Sequence, residues 1–353
     1  MTRSKKTVLK FLPVIAAVFT FILTEFAASF PASTEKFYSN GIYPVIASAL
    51  SPVSSIFPFS LDDIFYVALV LFFIVLTVLL LIKKVPLKKY LVLLPNTIAL
   101  VYLSFYWLWG FNYYREGLTK RLDIREQKAD EEGFRNALDQ IITSVNKNYP
   151  DTFDLSKEKI NSEIETSYSD LSNILRINYP QGIRRPKPIT FSSLFAKATI
   201  SGYFGPFFNE IHINKYLLPV EYPWTLAHEK SHQFGITSEA EANFYAWMVC
   251  NNSTDSRIRY AGNLNLLFYF LYEAKKLPDY KEIIEKTDPG VKNDINRIIR
   301  HWNKLRNANI EKVAAKANDT YLKTNKVERG IDDYDGVVKF VTEYLQAKNT
   351  AEQ

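Results

Sequence analysis

Three apolar runs in the first third of the chain decide most of what it can become. The first, Phe11 to Phe30, follows Arg3, Lys5, Lys6 and Lys10; the second, Ile64 to Ile82, contains no charge; the third, Tyr90 to Phe111, ends among Tyr106, Trp107 and Trp109. A helix needs about 20 apolar residues to cross a hydrocarbon core about 30 Å thick, and Trp and Tyr collect at membrane interfaces. Each run therefore reads as a transmembrane helix (about 11–30, 64–82 and 90–111), and residues 1–111 read as a membrane anchor. Lys83, Lys84, Lys88 and Lys89 crowd the loop between the second and third runs, against the single basic residue Lys36 in 31–60. The positive-inside rule then puts the N-terminus and the lysine loop in the cytoplasm and, after three crossings, residues 112–353 outside. Ala27, Ala28 and Ser29 also permit a cleavable signal peptide. Glu25 interrupts that cleavage region, so the run is read as an uncleaved span, and the destination of 112–353 is the same either way.

Charge is divided as unevenly as hydropathy. Residues 1–111 carry nine Lys or Arg and four Asp or Glu, whereas 112–353 carry 34 and 33, so the basic excess belongs to the anchor and is a topology signal. No nucleic-acid partner is expected, because that would need a basic stripe on the water-soluble part. The soluble part is long enough to bury its own core. Its spacing predicts helices over 126–148 and 155–178, strands within 189–214, and then a nearly all-helical stretch: 223–234, 238–252, 257–276, 289–306, 308–325 and 333–348.

With Cys250 the only cysteine, neither a disulfide nor a Cys-rich metal module is available, and any metal must be held by carboxylates and the four histidines His212, His228, His232 and His301. Two of these stand in His228-Glu229-Lys230-Ser231-His232. Helical spacing puts imidazoles at i and i+4 on one face, where they can share one Zn2+, and sets Glu229 where it can act as general base toward a metal-activated water. Pro223 suits the first turn of that helix, and Gly235 falls where a left-handed cap would end it.

A catalytic zinc takes three protein ligands, and the nearest carboxylates are Glu239 and Glu241. Ser238 and Glu241 form an S-x-x-E capping box, which gives Glu241 a structural duty, so Glu239 is preferred and Glu241 remains the alternative. Asn243, four residues on, can hydrogen-bond a ligand imidazole from behind. Upstream, the segment Gly202 to Asn214 looks like a strand entering the site, with Asn209 and His212 as candidate substrate contacts, although an ordinary core strand fits as well. Tyr321 and Tyr334 are candidate phenols for stabilising an oxyanion. Cys250 reads as a buried small hydrophobe and His301 as part of a solvated basic helix.

His228, Glu229, His232 and Glu239, with Asn243 where the pattern commonly has Asp, resemble the gluzincin type of zinc metallopeptidase, in which HExxH on one helix is followed by a Glu ligand on a later one. The whole chain is also similar to an uncharacterised family of bacterial membrane proteins with three N-terminal spans, a junction of the form Trp109-Gly110-x-Asn112-Tyr113-Tyr114-Arg115, and an HExxH-glycine-E-x-E-A-N block, here 228–243. These resemblances imply a membrane-anchored α+β protein: three N-terminal transmembrane helices, then a mostly helical zincin-like domain, 112–353, with a small β-sheet. They imply hydrolysis of peptide bonds in peptides or proteins at the outer membrane face. A non-catalytic zinc-binding receptor or scaffold is the alternative, and a protease acting within the bilayer is disfavoured because 220–235 is too short and polar to be a span.

Overall fold

The computed structural model describes residues 9–124, 130–180 and 182–352. Arg3, Lys5 and Lys6, and the first residues of the helix expected over 126–148, lie outside these. The chain forms two compact units, one of Met1–Glu116, Gly182–Arg185 and Gly205–Glu210, the other of Gly117–Gln181, Pro186–Phe204 and Ile211–Gln353.

In the first unit, α1 (Leu12–Ser29), α3 (Leu61–Leu81) and α4 (Leu87–Leu108) are each long and apolar enough to cross a bilayer, which makes this a multi-pass membrane protein. Between α1 and α3 the chain is also helical, through Pro31–Thr34, a wide-turned stretch Glu35–Ile42, and α2 (Tyr43–Ser55). Tyr38 donates its phenol to the carbonyls of Tyr106 and Trp107, and Arg115 grips Glu35 with two bonds of 2.8 and 2.6 Å. α3 begins with Ser60 accepting from the Asp63 N–H at 2.8 Å, and Asp62 and Asp63 complement the positive end of its dipole.

Residues 205–210 belong to this unit although they form the tip of a hairpin. Glu210 accepts from the backbone N–H of Leu61 at 2.9 Å and of Asp62 at 3.1 Å, and Asp62 accepts in return from Phe207 and Phe208, both at 3.3 Å. Two carboxylates thus exchange caps, one satisfying the first turn of a membrane helix and the other the turn of the hairpin.

In the second unit, α5 (Glu131–Asn148), α6 (Lys157–Leu171), α7 (Tyr222–Gln233), α8 (Glu239–Asn252), α9 (Ser256–Ala274), α10 (Pro289–Leu305), α11 (Ala308–Thr324) and α12 (Val337–Glu352) accompany a small mixed sheet. Strand β3 (Glu210–Ile213) lies between β1 (Lys187–Pro188), with which it runs parallel, and β2 (Gly202–Gly205). From Tyr222 onward five helices fall where periodicity predicts them, and a short one, Tyr280–Glu285, falls where none is predicted. Other differences stand out. The helix expected over 155–178 ends at Leu171, because turns take over before Pro180. Ser192–Lys197, expected among strands, is a short helix, and α12 starts at Val337 after a 3-10 segment, Gly330–Gly336. Helix α7 packs on α6, α8 and α9, and every one of its residues is buried.

Candidate metal centre

A helix buried on all sides is ordinarily apolar all round, yet α7 carries Thr225, His228, Glu229, Lys230, Ser231, His232 and Gln233. Burying such groups is costly unless each finds a partner. Lys230 pairs with Glu165, Ser231 donates to the His228 carbonyl at 2.7 Å, and Tyr168 donates to the Ala227 carbonyl at 2.6 Å. Gly235, at φ +83°, ends α7 as expected: its N–H reaches the His232 carbonyl and the Ile236 N–H reaches Ser231.

That turn does more than stop the helix. It presents the Ile236 carbonyl to His232 Nδ1 at 2.7 Å, and since a carbonyl only accepts, Nδ1 keeps its proton and Nε2, on the far side of the ring, is the nitrogen left for a metal. His228 is fixed similarly by Asn243, whose Oδ1 lies 2.8 Å from His228 Nδ1. The orientation of that amide is settled by its other end, where Nδ2 donates to the Tyr334 carbonyl at 3.3 Å and the Tyr269 hydroxyl at 3.2 Å. Tyr334 in turn lies parallel to the His228 ring, with centroids 6.4 Å apart.

Both Nε2 atoms and one oxygen of Glu239 converge. The nitrogens are 3.2 Å apart, and Glu239 Oε2 is 3.1 Å from His228 Nε2 and 3.5 Å from His232 Nε2. Zinc ligands about 2.0–2.1 Å from a tetrahedral centre are separated by about 3.3 Å, so these distances match three corners of a zinc tetrahedron. His228, His232 and Glu239 are also the one group of potential metal ligands with converging atoms among the described residues, and all three are buried. The donor set, its geometry and its two acceptors behind the imidazoles therefore fit a zinc ion.

Electrostatics agree with a site built for a cation. Burial alone would lower the His232 imidazole, but the Glu239 carboxylate outweighs it and, with no metal, pushes the ring up to about 9. For Glu239 burial works upward, yet the two histidines hold it well below the usual carboxylate range. Burial pushes Glu229 up to about 7, against the pull of His228 and His232. Its carboxylate lies against Gly202 of β2, where an added Cβ would stand 2.7 Å from Oε1.

Glu241 is turned elsewhere. Its N–H does bond the Ser238 hydroxyl at 3.3 Å, but its carboxylate accepts from Arg121 at 2.5 Å and from the Leu118 N–H at 2.8 Å, forming a buried ion pair. Ser238 also donates to Asp333 at 2.7 Å, so the Gly330–Gly336 segment is pinned to the start of the helix that carries Glu239. Neither Arg121 nor Asp333 is marked by any motif. His212 is buried on β3 with its ring stacked on Tyr203 at 4.2 Å. Asn209, at the hairpin tip with φ +56°, donates to the Tyr43 hydroxyl and accepts from Ser51, so its amide is occupied within the membrane unit. Tyr321 lies on an exposed face of α11.

Residues 38–342, most of the chain, match the family described as Protein of unknown function (DUF3810). No curated protein and no solved structure matches the chain.

Proposed function

The chain belongs to the DUF3810 family of unknown function, and on that footing we propose that it is a membrane-anchored zinc-dependent metallopeptidase acting on peptides or proteins at the outer membrane face. The observation that carries this reading is the convergence of His228 Nε2, His232 Nε2 and Glu239 Oε2 at zinc-ligand separations, with Glu229 one residue after the first histidine. A zinc ion held by these three would supply Lewis-acid polarisation of a scissile carbonyl and of water.

The remaining work falls to the protein's own side chains. Glu229, one residue after the first histidine on the same buried helix, is suited to take a proton from water and pass it to the leaving amine. Ile236 and Asn243 keep the two imidazoles in one tautomer. Strand β2 sits at the edge of the sheet with Gly202 against Glu229, so a substrate laid along it in extended form would bring its backbone to that carboxylate. Tyr334, whose phenol burial keeps protonated, is the candidate donor to the oxyanion. The four lysines of 83–89 favour a cytoplasmic N-terminus and an extracytoplasmic second unit.

The test is Glu229→Gln in the purified, detergent-solubilised full chain. Zinc should remain at one equivalent by metal analysis while peptide hydrolysis falls by about 100-fold or more. A wild-type protein that holds one zinc yet cleaves nothing in a broad peptide library would sink the peptidase reading and leave a zinc-binding receptor or scaffold.

A further inference from the structure

The connection between the first two membrane helices is built inside out. In α2 the residues facing inward are Tyr43, Ala47, Ser51 and Ser54, and the hydroxyls of Tyr43 and Ser51 are both spent on Asn209. Facing outward are Ile42, Val45, Ala49, Val53 and Ile56, at steps of three, four, four and three residues, which place them within one narrow arc of the helix. Val45 is 68% exposed and Ile56 74%, and Ile183, whose carbonyl accepts from Ser55, is 72% exposed. A helix on a water-facing surface shows the reverse pattern, apolar inward and polar outward. No Asp, Glu, Lys or Arg occurs from residue 37 to residue 61, and the nearest carboxylate on the N-terminal side, Glu35, is neutralised by Arg115.

We propose that α2 lies along the bilayer surface with the Ile42, Val45, Ala49, Val53 and Ile56 stripe sunk among the lipid acyl chains. The helical path that α2 completes carries Glu35, Lys36, Ser39 and Asn40 in its first ten residues, 31–40, which makes that part too polar to extend α2 into a further crossing. The far end of α2 fixes its depth. The chain leaves it five residues before α3, so its C-terminal end is held at the membrane face where that span begins. Phe57 and Phe59, exposed in the five residues that join α2 to α3, and exposed Ile64 at the start of α3 carry the apolar exposure along the chain from the stripe into a membrane span. That continuity selects lipid over a second copy of the chain or a partner protein as the occupant.

The proposal is independent of the metal centre, and so is its test. Single cysteines replacing Val45, Ile56 or, as a water-exposed reference, Val313 are placed in the full chain, labelled with an environment-sensitive fluorophore and reconstituted into phosphatidylethanolamine–phosphatidylglycerol vesicles. The native Cys250 is buried and stays out of the labelling. Labels at 45 and 56 should be quenched several-fold more by lipids brominated on the acyl chains than the label at 313, and several-fold less by aqueous iodide. Equal iodide quenching at all three positions would overturn the proposal. So would protection at 45 and 56 from iodide and brominated lipid alike, which would mean that protein covers the stripe. A Val45→Lys variant adds a second reading: with the fold intact by circular dichroism, its neighbouring label at Ile56 should become more accessible to iodide.

Discussion

Asn243→Ala removes the single group that fixes how His228 presents itself to a metal. With Oδ1 gone from its place 2.8 Å behind Nδ1, the imidazole is free to exchange tautomers and to rotate, and the buried Nδ1–H loses its acceptor. Loss of such a supporting hydrogen bond costs about 10- to 100-fold in metal affinity, or about 1.4–2.8 kcal/mol. The measurement is zinc competition against a chromogenic chelator, using the solubilised full chain with its helical signal and zinc-saturated melting temperature as controls for folding. Asn243→Asp separates two roles. A carboxylate still accepts from His228, so zinc affinity should be kept, but it cannot donate to the Tyr334 carbonyl or the Tyr269 hydroxyl. The Tyr269 hydroxyl can turn and donate to the carboxylate, but the Tyr334 carbonyl is left without its donor, so stability should fall by about 1–3 kcal/mol. This is also a physical reason for an amide where related zinc sites commonly use aspartate. If Asn243→Ala binds zinc as tightly as the wild type while remaining folded, the tautomer argument is wrong.

Further outcomes follow from the same geometry. Gly202→Ala would force a methyl to within 2.7 Å of Glu229 Oε1, so peptide hydrolysis should drop sharply while zinc content is unchanged. Arg121→Met leaves the Glu241 carboxylate buried beside the Leu118 N–H without its cation, and should cost about 3–5 kcal/mol in denaturant unfolding. In the metal-free protein His232 is raised from 6.5 to about 9, so its contribution to stability is fully present below pH 6.5 and is lost as pH rises through 9. Zinc must displace that proton, so zinc affinity should rise with pH up to about 9 and then level, with about one proton released per zinc at neutral pH by calorimetry in buffers of different ionisation heat.

How much of this could be read from the residues alone depended on the range of the interaction. The HExxH helix, its glycine stop and the Asn243 contact all lie within 16 residues, where helical periodicity and cap chemistry relate side chains directly. The S-x-x-E pattern assigns Glu241 a capping role and leaves Glu239 for the metal; the Ser238 half of that cap exists, but the carboxylate of Glu241 is held by Arg121, 120 residues away. No local rule reports such a pair. The same holds for Asp333 at the start of α8 and for the seating of residues 205–210 against Asp62. The helical path over 31–55 was hidden differently. Pro31, Pro44 and Pro52 interrupt its pattern, and its outward face is apolar, so the usual inward-apolar rule misreads it.

Strand β2 consists of Gly202-Tyr203-Phe204-Gly205, and each terminal glycine makes room for a carboxylate: Gly202 for Glu229, and Gly205 for Asp62, whose Oδ2 would lie 2.3 Å from an added Cβ. The proposed base and the cap of a membrane helix therefore depend on one alignment of four residues. A slip of a single position against β3 would bring a side chain to both places together. Correct pairing of this hairpin thus sets both features in one step, and an error in it would spoil both.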